Sequence, residues 1–397
     1  MKPVKNKMDY RFENFGGIIA SNKPPFLAFV DRDYMRSLGL DSPKHWKSED
    51  ESIGLLSAPT EVHFAATNKC NVSCRHCYMD SGKQLEQELT TEQFKEALDI
   101  LAELKVFHIA LGGGEAILRK DFFEIAEYAR EKGLVPNLTI SGVDVKPSDA
   151  EKMKILGQVN ISIDGVGDDY AIYRGVNHFE TVDKVFDMLA GQNIPVGINC
   201  VIGSANFNLL ESIFAYAAGK NANEIEFLRF KPAGRGAEMF NKYKLTNEQN
   251  IELIPLLKSL SEKYQIISKV DCSFVPMICW HQPPIDELYA MATYGCEAGN
   301  VLLGITSDGR VSGCSFLSET NLDLDVFKLR DPSARMIKFA KFFDWTKNAP
   351  MPCKNCKYLE ICKGGCHAVA QFVTGSFANP DPGCPTVTAY NQKGTVS

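Results

Sequence analysis

Short apolar runs alternate with longer amphipathic segments between about residues 61 and 265. Each run is continuous enough to be buried on both faces of a sheet, so each predicts a strand. The six predicted strands are Val62–Ala66, Phe107–Leu111, Pro136–Ile140, Val159–Ile163, Val196–Ile202 and Ile225–Phe230. Strands that alternate with helices predict a parallel sheet with right-handed crossovers. Because a closed barrel of this kind needs eight units, the pattern predicts an α/β fold with an open, partial (β/α)6 TIM-like barrel.

The segments between these strands carry helical patterns. Thr90 and Gln93 have the spacing of a capping box, and the apolar residues that follow them fall on one helical face. Asp121 and Glu124 predict the start of the next helix in the same way. Further helices are predicted over residues 148–156, 179–190, 208–219 and 246–264.

The two ends of the chain differ from this middle part. Residues 1–60 contain two β-like runs, Phe15–Ala20 and Phe26–Val30, and a short helical stretch, Asp31–Leu38. From about residue 266 to 397 the alternation stops, while cysteine, glycine and proline become frequent. A segment of that composition is typical of structure organised by metal rather than by a large core. We therefore expect a small N-terminal extension (1–60), the barrel (61–265) and a metal-bearing C-terminal domain (266–397).

The amino-acid composition limits which binding partners and which cellular compartment are expected. The 397 residues are 45% hydrophobic and 23% charged, with a net charge of −6. The chain has no long basic run, so nucleic acid is not an expected partner. It also has no apolar stretch of the ~18 residues that a membrane span needs. Met1–Tyr10 lacks the apolar core of a secretory signal. A cytoplasmic protein is expected.

Thirteen cysteines are unusual for such a chain, and an odd number argues against a disulfide scaffold. Cys200 lies in an apolar run and is interpreted as a small buried hydrophobe. Ten others fall into patterned groups, which indicate metal ligands in a reducing compartment.

The first group, C-x3-C-x2-C, consists of Cys70, Cys74 and Cys77, directly after the first predicted strand. Three thiolates on one loop can hold three irons of a cubane cluster and leave the fourth iron open to another ligand. A structural zinc site, the alternative, usually takes four ligands in C-x2-C pairs and fits this spacing poorly. The carboxyl ends of barrel strands are also where such enzymes build their active sites.

This motif and its position resemble the radical S-adenosylmethionine (SAM) superfamily. The resemblance implies that a [4Fe–4S] cluster on these cysteines reductively cleaves S-adenosylmethionine to a 5′-deoxyadenosyl radical, which abstracts hydrogen from substrate. It also implies a set of cofactor contacts: His76 against the adenine, Gly113, Gly114 and Glu115 at the methionine amino group, Ser162 and Asp164 near the ribose and carboxylate, and Arg174 at the carboxylate. Ala116 stands where the family usually has proline, and a surface arginine is the alternative for Arg174.

A second group of seven cysteines follows in the C-terminal third. Cys296 and Cys314 flank Gly309 in a C-x12-G-x4-C pattern, and Cys353, Cys356, Cys362, Cys366 and Cys384 complete the set. The arrangement resembles the SPASM auxiliary-cluster domain, with two zinc sites as the alternative. The resemblance implies a distal cluster on Cys353, Cys356, Cys362 and Cys384, and a nearer one on Cys296, Cys314 and Cys366. With the first group, three [4Fe–4S] clusters are expected.

The nearer cluster then lacks one assigned ligand. Some relatives place an extra cysteine between the first two of this group, and here none lies between Cys296 and Cys314. The fourth iron is open to substrate, is bound by Cys272 or Cys279, or has another ligand. The turn Pro232–Gly236 is common in relatives with a second cluster domain, although its role could be structural.

Relatives with this domain mostly modify peptides. We therefore expect a maturase of a ribosomally synthesised peptide that forms a crosslink, thioether or related modification, with flavodoxin or ferredoxin as reductant. A cofactor- or tetrapyrrole-pathway enzyme acting on a small molecule is the alternative, and a non-catalytic electron carrier is a third possibility. Sulfatase maturation is not expected, because Ser315 stands where that subfamily has a basic aspartate. Residues 1–60 either belong to a peptide-recognition element, which adds a leader peptide as a strand, or extend the core.

Overall fold

The computed structural model describes residues 8–22, 25–47, 49, 53–317 and 324–394. The N-terminal part forms an antiparallel sheet of β1 (Asp9–Glu13), β2 (Gly16–Asn22) and β3 (Pro25–Asp31), in that order. The predicted β-like runs lie in β2 and β3. The polar β1 was not predicted, because its residues D-Y-R-F-E form no apolar run. A helix, Arg32–Ser37, follows β3 and is capped by Asp31, which accepts a hydrogen bond from the backbone N–H of Tyr34 (2.7 Å).

The N-terminal sheet is fixed to the barrel by a buried arginine. The guanidinium of Arg11 donates to the carbonyls of Ala58 (2.6 Å), Pro59 (2.9 Å) and Lys105 (2.9 Å) and pairs with Glu13. Pro59 and Lys105 precede the first two barrel strands. The small sheet therefore packs on the end of the barrel where the strands begin.

The six predicted barrel strands are present, and the partial (β/α)6 barrel is confirmed. They are β4 (Glu61–Thr67), β5 (His108–Gly113), β6 (Val135–Ile140), β7 (Val159–Ser162), β8 (Val196–Ile202) and β9 (Ile225–Arg229), parallel and adjacent in sequence order. Short strands from the C-terminal third extend this sheet at both ends. β10 (Ser268–Val270) pairs parallel to β9, while β11 (Leu302–Ile305) pairs parallel to β4 and carries the antiparallel β12 (Val311–Ser312).

Helices cover the outer face of the sheet and bury its apolar residues. Those between the strands are Thr91–Glu103, Phe122–Glu131, Pro147–Met153, Ala171–Arg174, Phe179–Ala190, Leu210–Gly219, Gly236–Tyr243 and Asn247–Tyr264. The later ones are Val275–Trp280, Ile285–Ala290, Pro332–Phe343, Leu359–Cys362, His367–Thr374 and Pro385–Gly394. None of the helices in the described ranges combines the length and the apolar character of a membrane span.

Of the two predicted helix caps, one is confirmed and the other is wrong. Thr90 and Gln93 form the predicted capping box. Asp121 precedes its helix as predicted, but the proposed cap is wrong, since its carboxylate accepts hydrogen bonds from Thr91 (2.6 Å) and Arg119 (2.9 Å) instead. The helix predicted over 148–156 ends earlier, at Met153.

Candidate active site

The first three patterned cysteines lie at the carboxyl ends of the barrel strands. Cys70, Cys74 and Cys77 occupy the loop after β4. Together with Glu115 and Asp164 they line a cavity of about 810 Å³. The cavity runs the length of the barrel, because residues at the starts of the strands line it as well as residues at their ends. The structure therefore brings together sequence-predicted groups that follow three different strands, β4, β5 and β7.

Hydrogen bonds hold the cysteine loop in one shape. The backbone N–H of Cys70 donates to the Gly82 carbonyl (2.8 Å), and that of Ser81 donates to the sulfur of Cys77 (3.4 Å). Arg235 reaches across from the turn after β9 and donates to the Cys74 carbonyl (2.9 Å) and to Asp80 (2.7 Å). The turn that resembles relatives with a second cluster domain is thus a clamp on the first cysteine group.

Gly234 explains why that turn contains glycine. Its φ is +51°, and a Cβ atom there would lie 2.5 Å from the Cys77 carbonyl oxygen. Only a residue without a side chain allows this approach of the two backbones.

The glycines after β5 also serve a backbone contact. A Cβ on Gly113 would lie 2.4 Å from the Thr67 carbonyl oxygen, and one on Gly114 would lie 2.2 Å from that of Lys69. The backbone N–H of Gly114 donates to Thr67 (2.8 Å). Gly113 and Gly114 therefore pack against the chain's own cysteine loop, whereas a side chain at Gly112 would enter the cavity.

Glu115 is a buried carboxylate with one unused oxygen. Its side chain is 1% exposed, and Oε2 accepts a hydrogen bond from the backbone N–H of Ser141 (2.9 Å). Among the described residues Oε1 has no hydrogen-bond partner. Burial raises the pKa of Glu115 to about 7. An ammonium group entering the cavity would satisfy this oxygen, so the site fits the methionine amino group that the resemblance implies.

Asp164, Arg174 and His76 form a buried cluster beside Cys74. Arg174 pairs with Asp164 (2.9 Å), and His76 Nε2 lies 3.4 Å from the same carboxylate oxygen. A guanidinium nitrogen of Arg174 lies 3.9 Å from the sulfur of Cys74. Arg174 is 5% exposed, so the surface-arginine alternative is wrong. Ser162 lines the cavity nearby.

These contacts differ in part from the roles that the resemblance implies. Asp164 is fully buried, and its Oδ1 accepts the backbone N–H of Val201 (2.8 Å). Its Oδ2 lies 2.9 Å from Arg174 but has no hydrogen-bond partner among the described residues. The ring of His76 packs near Tyr173, with centroids 5.5 Å apart, and burial lowers the pKa of His76. A neutral His76 suits a stacking contact better than a charged one.

The later cysteines separate into two sets in space. Cys353, Cys356, Cys362 and Cys384 line one cavity in the C-terminal third. The other set is Cys296, Cys314 and Cys366, which pack against the main core. Burial and the nearby thiols of Cys314 and Cys366 raise the pKa of Cys296. Each set contains the residues that the resemblance assigns to one cluster.

Thiol donors suit iron–sulfur clusters, which are held by cysteine thiolates. Within the described ranges, no three His, Cys, Asp or Glu side chains converge closely enough for one metal ion. The fit of these sites to iron–sulfur clusters therefore depends on the thiol donors and on how the cysteines are grouped in space. Burial raises the pKa of Cys70 to about 11, so its thiolate form needs a cationic partner.

His63 was not predicted as a site residue, yet it lines the same cavity. His63 Nδ1 is 3.2 Å from the hydroxyl of Ser315, and Nε2 is 3.4 Å from Glu61. Ser315 is the residue after Cys314, where sulfatase maturases carry their base. The alternation of side chains along β4 could have identified it. His63 lies between Val62 and Phe64, which are buried on the helix side of the sheet, so its own side chain must face the barrel interior.

Comparisons with known proteins agree with this geometry. A family model described as the radical SAM superfamily matches residues 65–212. The mycofactocin maturase MftC of Mycobacterium tuberculosis is 30% identical over 338 residues, which cover 83% of this chain and 83% of that protein. The Fe-coproporphyrin III synthase of Methanosarcina barkeri is 28% identical over 350 residues, which cover 81% of this chain and 87% of that protein.

A solved structure extends the likeness to nearly the whole chain. Streptococcus suis SuiB bound to the precursor peptide SuiA aligns with a TM-score of 0.74 and 15% sequence identity. The alignment covers 97% of this chain and 100% of that chain. At this identity the likeness shows the fold alone.

Proposed function

This chain belongs to the radical SAM superfamily, and we propose that it uses that chemistry to mature a ribosomally synthesised peptide. When bound, a [4Fe–4S] cluster supplies the electron that cleaves S-adenosylmethionine to a 5′-deoxyadenosyl radical, which abstracts hydrogen from the substrate. Cys70, Cys74 and Cys77 would hold this cluster. We propose flavodoxin or ferredoxin as the source of the electron, and the cytoplasm as the compartment that keeps the thiols reduced.

The surrounding residues then bind and orient the cofactor. Glu115 accepts the methionine ammonium through its unused oxygen. Arg174 neutralises the cofactor carboxylate while Asp164 fixes its guanidinium. Neutral His76 lies against the adenine. Ser162 faces the ribose from the end of β7.

Two auxiliary clusters complete the proposed cofactor set. Cys353, Cys356, Cys362 and Cys384 would hold the distal cluster, and Cys296, Cys314 and Cys366 would hold the nearer one. Ser315 follows Cys314 and lines the cavity that contains the first cysteine group. The nearer cluster would therefore lie beside the substrate space, where it could exchange an electron with a substrate radical.

The observation that carries the peptide proposal is the connection between β3 and this cavity. Within the described residues β3 pairs only with β2, so its outer edge can accept an extended peptide as a further strand. Phe26 and Leu27 of β3 line the same cavity as Cys70 and Glu115. A peptide bound along β3 could therefore extend through the barrel toward the cysteines.

The name of the mycofactocin maturase supports a maturation reaction, and the likeness to a SuiB bound to a precursor peptide agrees in fold. The Fe-coproporphyrin III synthase shows that a related chain serves tetrapyrrole chemistry. A tetrapyrrole would need the barrel cavity but would not need the edge of β3. This difference makes the two functions separable by experiment.

The test is co-expression of the chain with short peptides encoded beside its gene, followed by mass spectrometry of the peptide. We expect a mass change that depends on Cys74 and is reduced at least tenfold by Phe26→Asp. Tyr10→Asp is the matched control, because Tyr10 is 38% exposed on the opposite edge strand and Phe26 is 39% exposed. Turnover of Fe-coproporphyrin III without any peptide modification would replace the proposal with the tetrapyrrole function.

A further inference from the structure

Two cysteines upstream of the C-terminal groups, Cys272 and Cys279, have no role in the proposed cluster sites. They are seven residues apart, and the structure separates them. Cys272 begins a 3-10 turn directly after β10, whereas Cys279 lies in the helix Val275–Trp280. Since a helix rises about 1.5 Å per residue, the two thiols can serve different sites.

Cys279 lies with the distal set. It lines the cavity formed by Cys353, Cys356, Cys362 and Cys384. Its thiol lies beside that of Cys362 and packs in a small apolar cluster with Tyr358 and Ile361. Four cysteines of this set already satisfy a [4Fe–4S] cluster, so Cys279 is a neighbour of that cluster and not a needed ligand.

Cys272 lies at the carboxyl end of a parallel strand, as Cys70 does. β10 extends the barrel sheet beside β9, and the backbone N–H of Asp271 donates to the Phe227 carbonyl (3.0 Å). The chain therefore emerges at Cys272 on the edge of the sheet that bears the active site. Cys296, Cys314 and Cys366 pack against the residues of the main core.

The residues on either side of Cys272 are tied to this nearer set. Asp271 forms an ion pair with the buried Lys231, whose ammonium lies 3.9 Å from the ring centre of Phe316, two residues after Cys314. On the other side, the carbonyl of Ser273 accepts a hydrogen bond from Arg229 (3.4 Å).

Arg229 continues that connection to Cys366. It pairs with Asp381, whose carboxylate accepts the backbone N–H of Cys366 (3.1 Å). The residue before Cys272 is therefore linked through Lys231 to Phe316, and the residue after it is linked through Arg229 and Asp381 to Cys366.

Burial and then the neighbouring Asp271 and Cys296 raise the pKa of the Cys272 thiol well above its ordinary value, although part of the residue is exposed. The thiol of Cys272 is therefore close enough to that of Cys296 to interact with it electrostatically.

We propose that Cys272 is the fourth protein ligand of the nearer auxiliary cluster, beside Cys296, Cys314 and Cys366. This inference rests on the proposed function only in that the nearer cluster must exist. It accounts for the missing ligand without a residue between Cys296 and Cys314. It also closes the cluster, so that a substrate thiolate cannot bind its iron unless Cys272 leaves. The nearer cluster then acts in electron transfer.

The test uses full-length protein in which Cys70, Cys74 and Cys77 are Ala, so that only the auxiliary sites remain. After anaerobic reconstitution, iron and sulfide are counted, and EPR spectra are recorded on reduced and oxidised samples. We expect about eight irons per chain in this parent. Adding Cys272→Ala should remove the nearer cluster, or convert it on oxidation to a three-iron form with its own EPR signal. Cys279→Ala is the matched control and should keep both four-iron clusters.

A second measurement does not depend on the stability of the Cys272 variant. 2-Mercaptoethanol added to the parent should leave the EPR spectrum unchanged, because a closed cluster has no site for a thiolate. A spectral change in the parent, or two intact clusters in Cys272→Ala with the parent's spectrum, would overturn the ligand assignment. A parent with about four irons or fewer would instead contradict the proposed auxiliary clusters themselves.

Discussion

Arg229 forms a buried bidentate ion pair with Asp381, 152 residues later in the chain. Arg229 lies at the end of the last predicted barrel strand. The contacts measure 2.5 Å and 3.2 Å, and Asp381 is fully buried. The same carboxylate accepts the backbone N–H groups of Cys366 (3.1 Å) and Gly383 (2.8 Å). Gly383 precedes Cys384, so this one side chain links the barrel to residues of both auxiliary cysteine sets.

Asp381→Ala is expected to destabilise the protein strongly and to release iron from both auxiliary sites. Removing one partner of a buried pair leaves the other charge uncompensated and typically costs about 3–5 kcal/mol. The thermal midpoint and the iron content of reconstituted protein measure the effect. Lys263→Ala, which breaks an exposed pair with Glu211, serves as control and should change neither. Normal iron content in Asp381→Ala would show that Asp381 does not organise the cysteines.

Arg235→Ala should weaken the first cluster selectively. Its guanidinium holds the cysteine loop through the carbonyls of Cys74 and Ser81, and no other residue type offers this fork of donors. We expect the loss of roughly four irons per chain and of S-adenosylmethionine cleavage, with both auxiliary signals retained in EPR. Arg330→Ala is a control at an exposed pair with Glu96. Equal loss of all clusters would indicate general unfolding rather than a loop clamp.

Binding of S-adenosylmethionine should strengthen as pH rises from 6 to 8. Burial raises the pKa of Glu115 to about 7, so the carboxylate becomes charged over this range and can then pair with an ammonium group. A hydrogen bond to a charged group is worth about 1.5–3 kcal/mol, so Glu115→Gln should weaken binding roughly 10- to 100-fold at pH 8. The variant should also lose the pH dependence in equilibrium binding to reconstituted protein.

The same group affects stability in the opposite direction. Because the folded pKa of Glu115 is about 7 and its ordinary value is 4.5, the protein without cofactor should lose stability as pH rises from 4.5 to about 7, with no further loss from this group above that. Glu115→Gln removes this loss. An unchanged pH profile in the variant would exclude Glu115 as its source.

Much of the fold could be predicted because its signals are local. Each barrel strand is a continuous apolar run, as strands buried on both faces must be. Thr90 forms a capping box that marks the start of its helix. The radical SAM/SPASM assignment is also confirmed. It could be made from the sequence because cysteine spacing is a local signal too. The strand β10 was missed, since its residues S-K-V carry no such pattern.

The parts that were not predicted depend on contacts between distant residues. Nothing in the spacing of Arg229 and Asp381 shows that they pair. Gly113 was predicted to contact the cofactor, and the structure adds a close approach to the cysteine loop that exists only once two strands lie side by side. Cys272 and Cys279 were equal candidates in sequence, and only the strand end and the helix between them separate the two.

The most direct test of the account is the formation of 5′-deoxyadenosine by anaerobically reconstituted protein with S-adenosylmethionine and a reductant. The variant in which Cys70, Cys74 and Cys77 are replaced by Ala should form none, while it keeps about eight irons in its auxiliary sites. Formation of 5′-deoxyadenosine at the wild-type rate in this variant would contradict the central claim that these three cysteines hold the cluster that cleaves the cofactor.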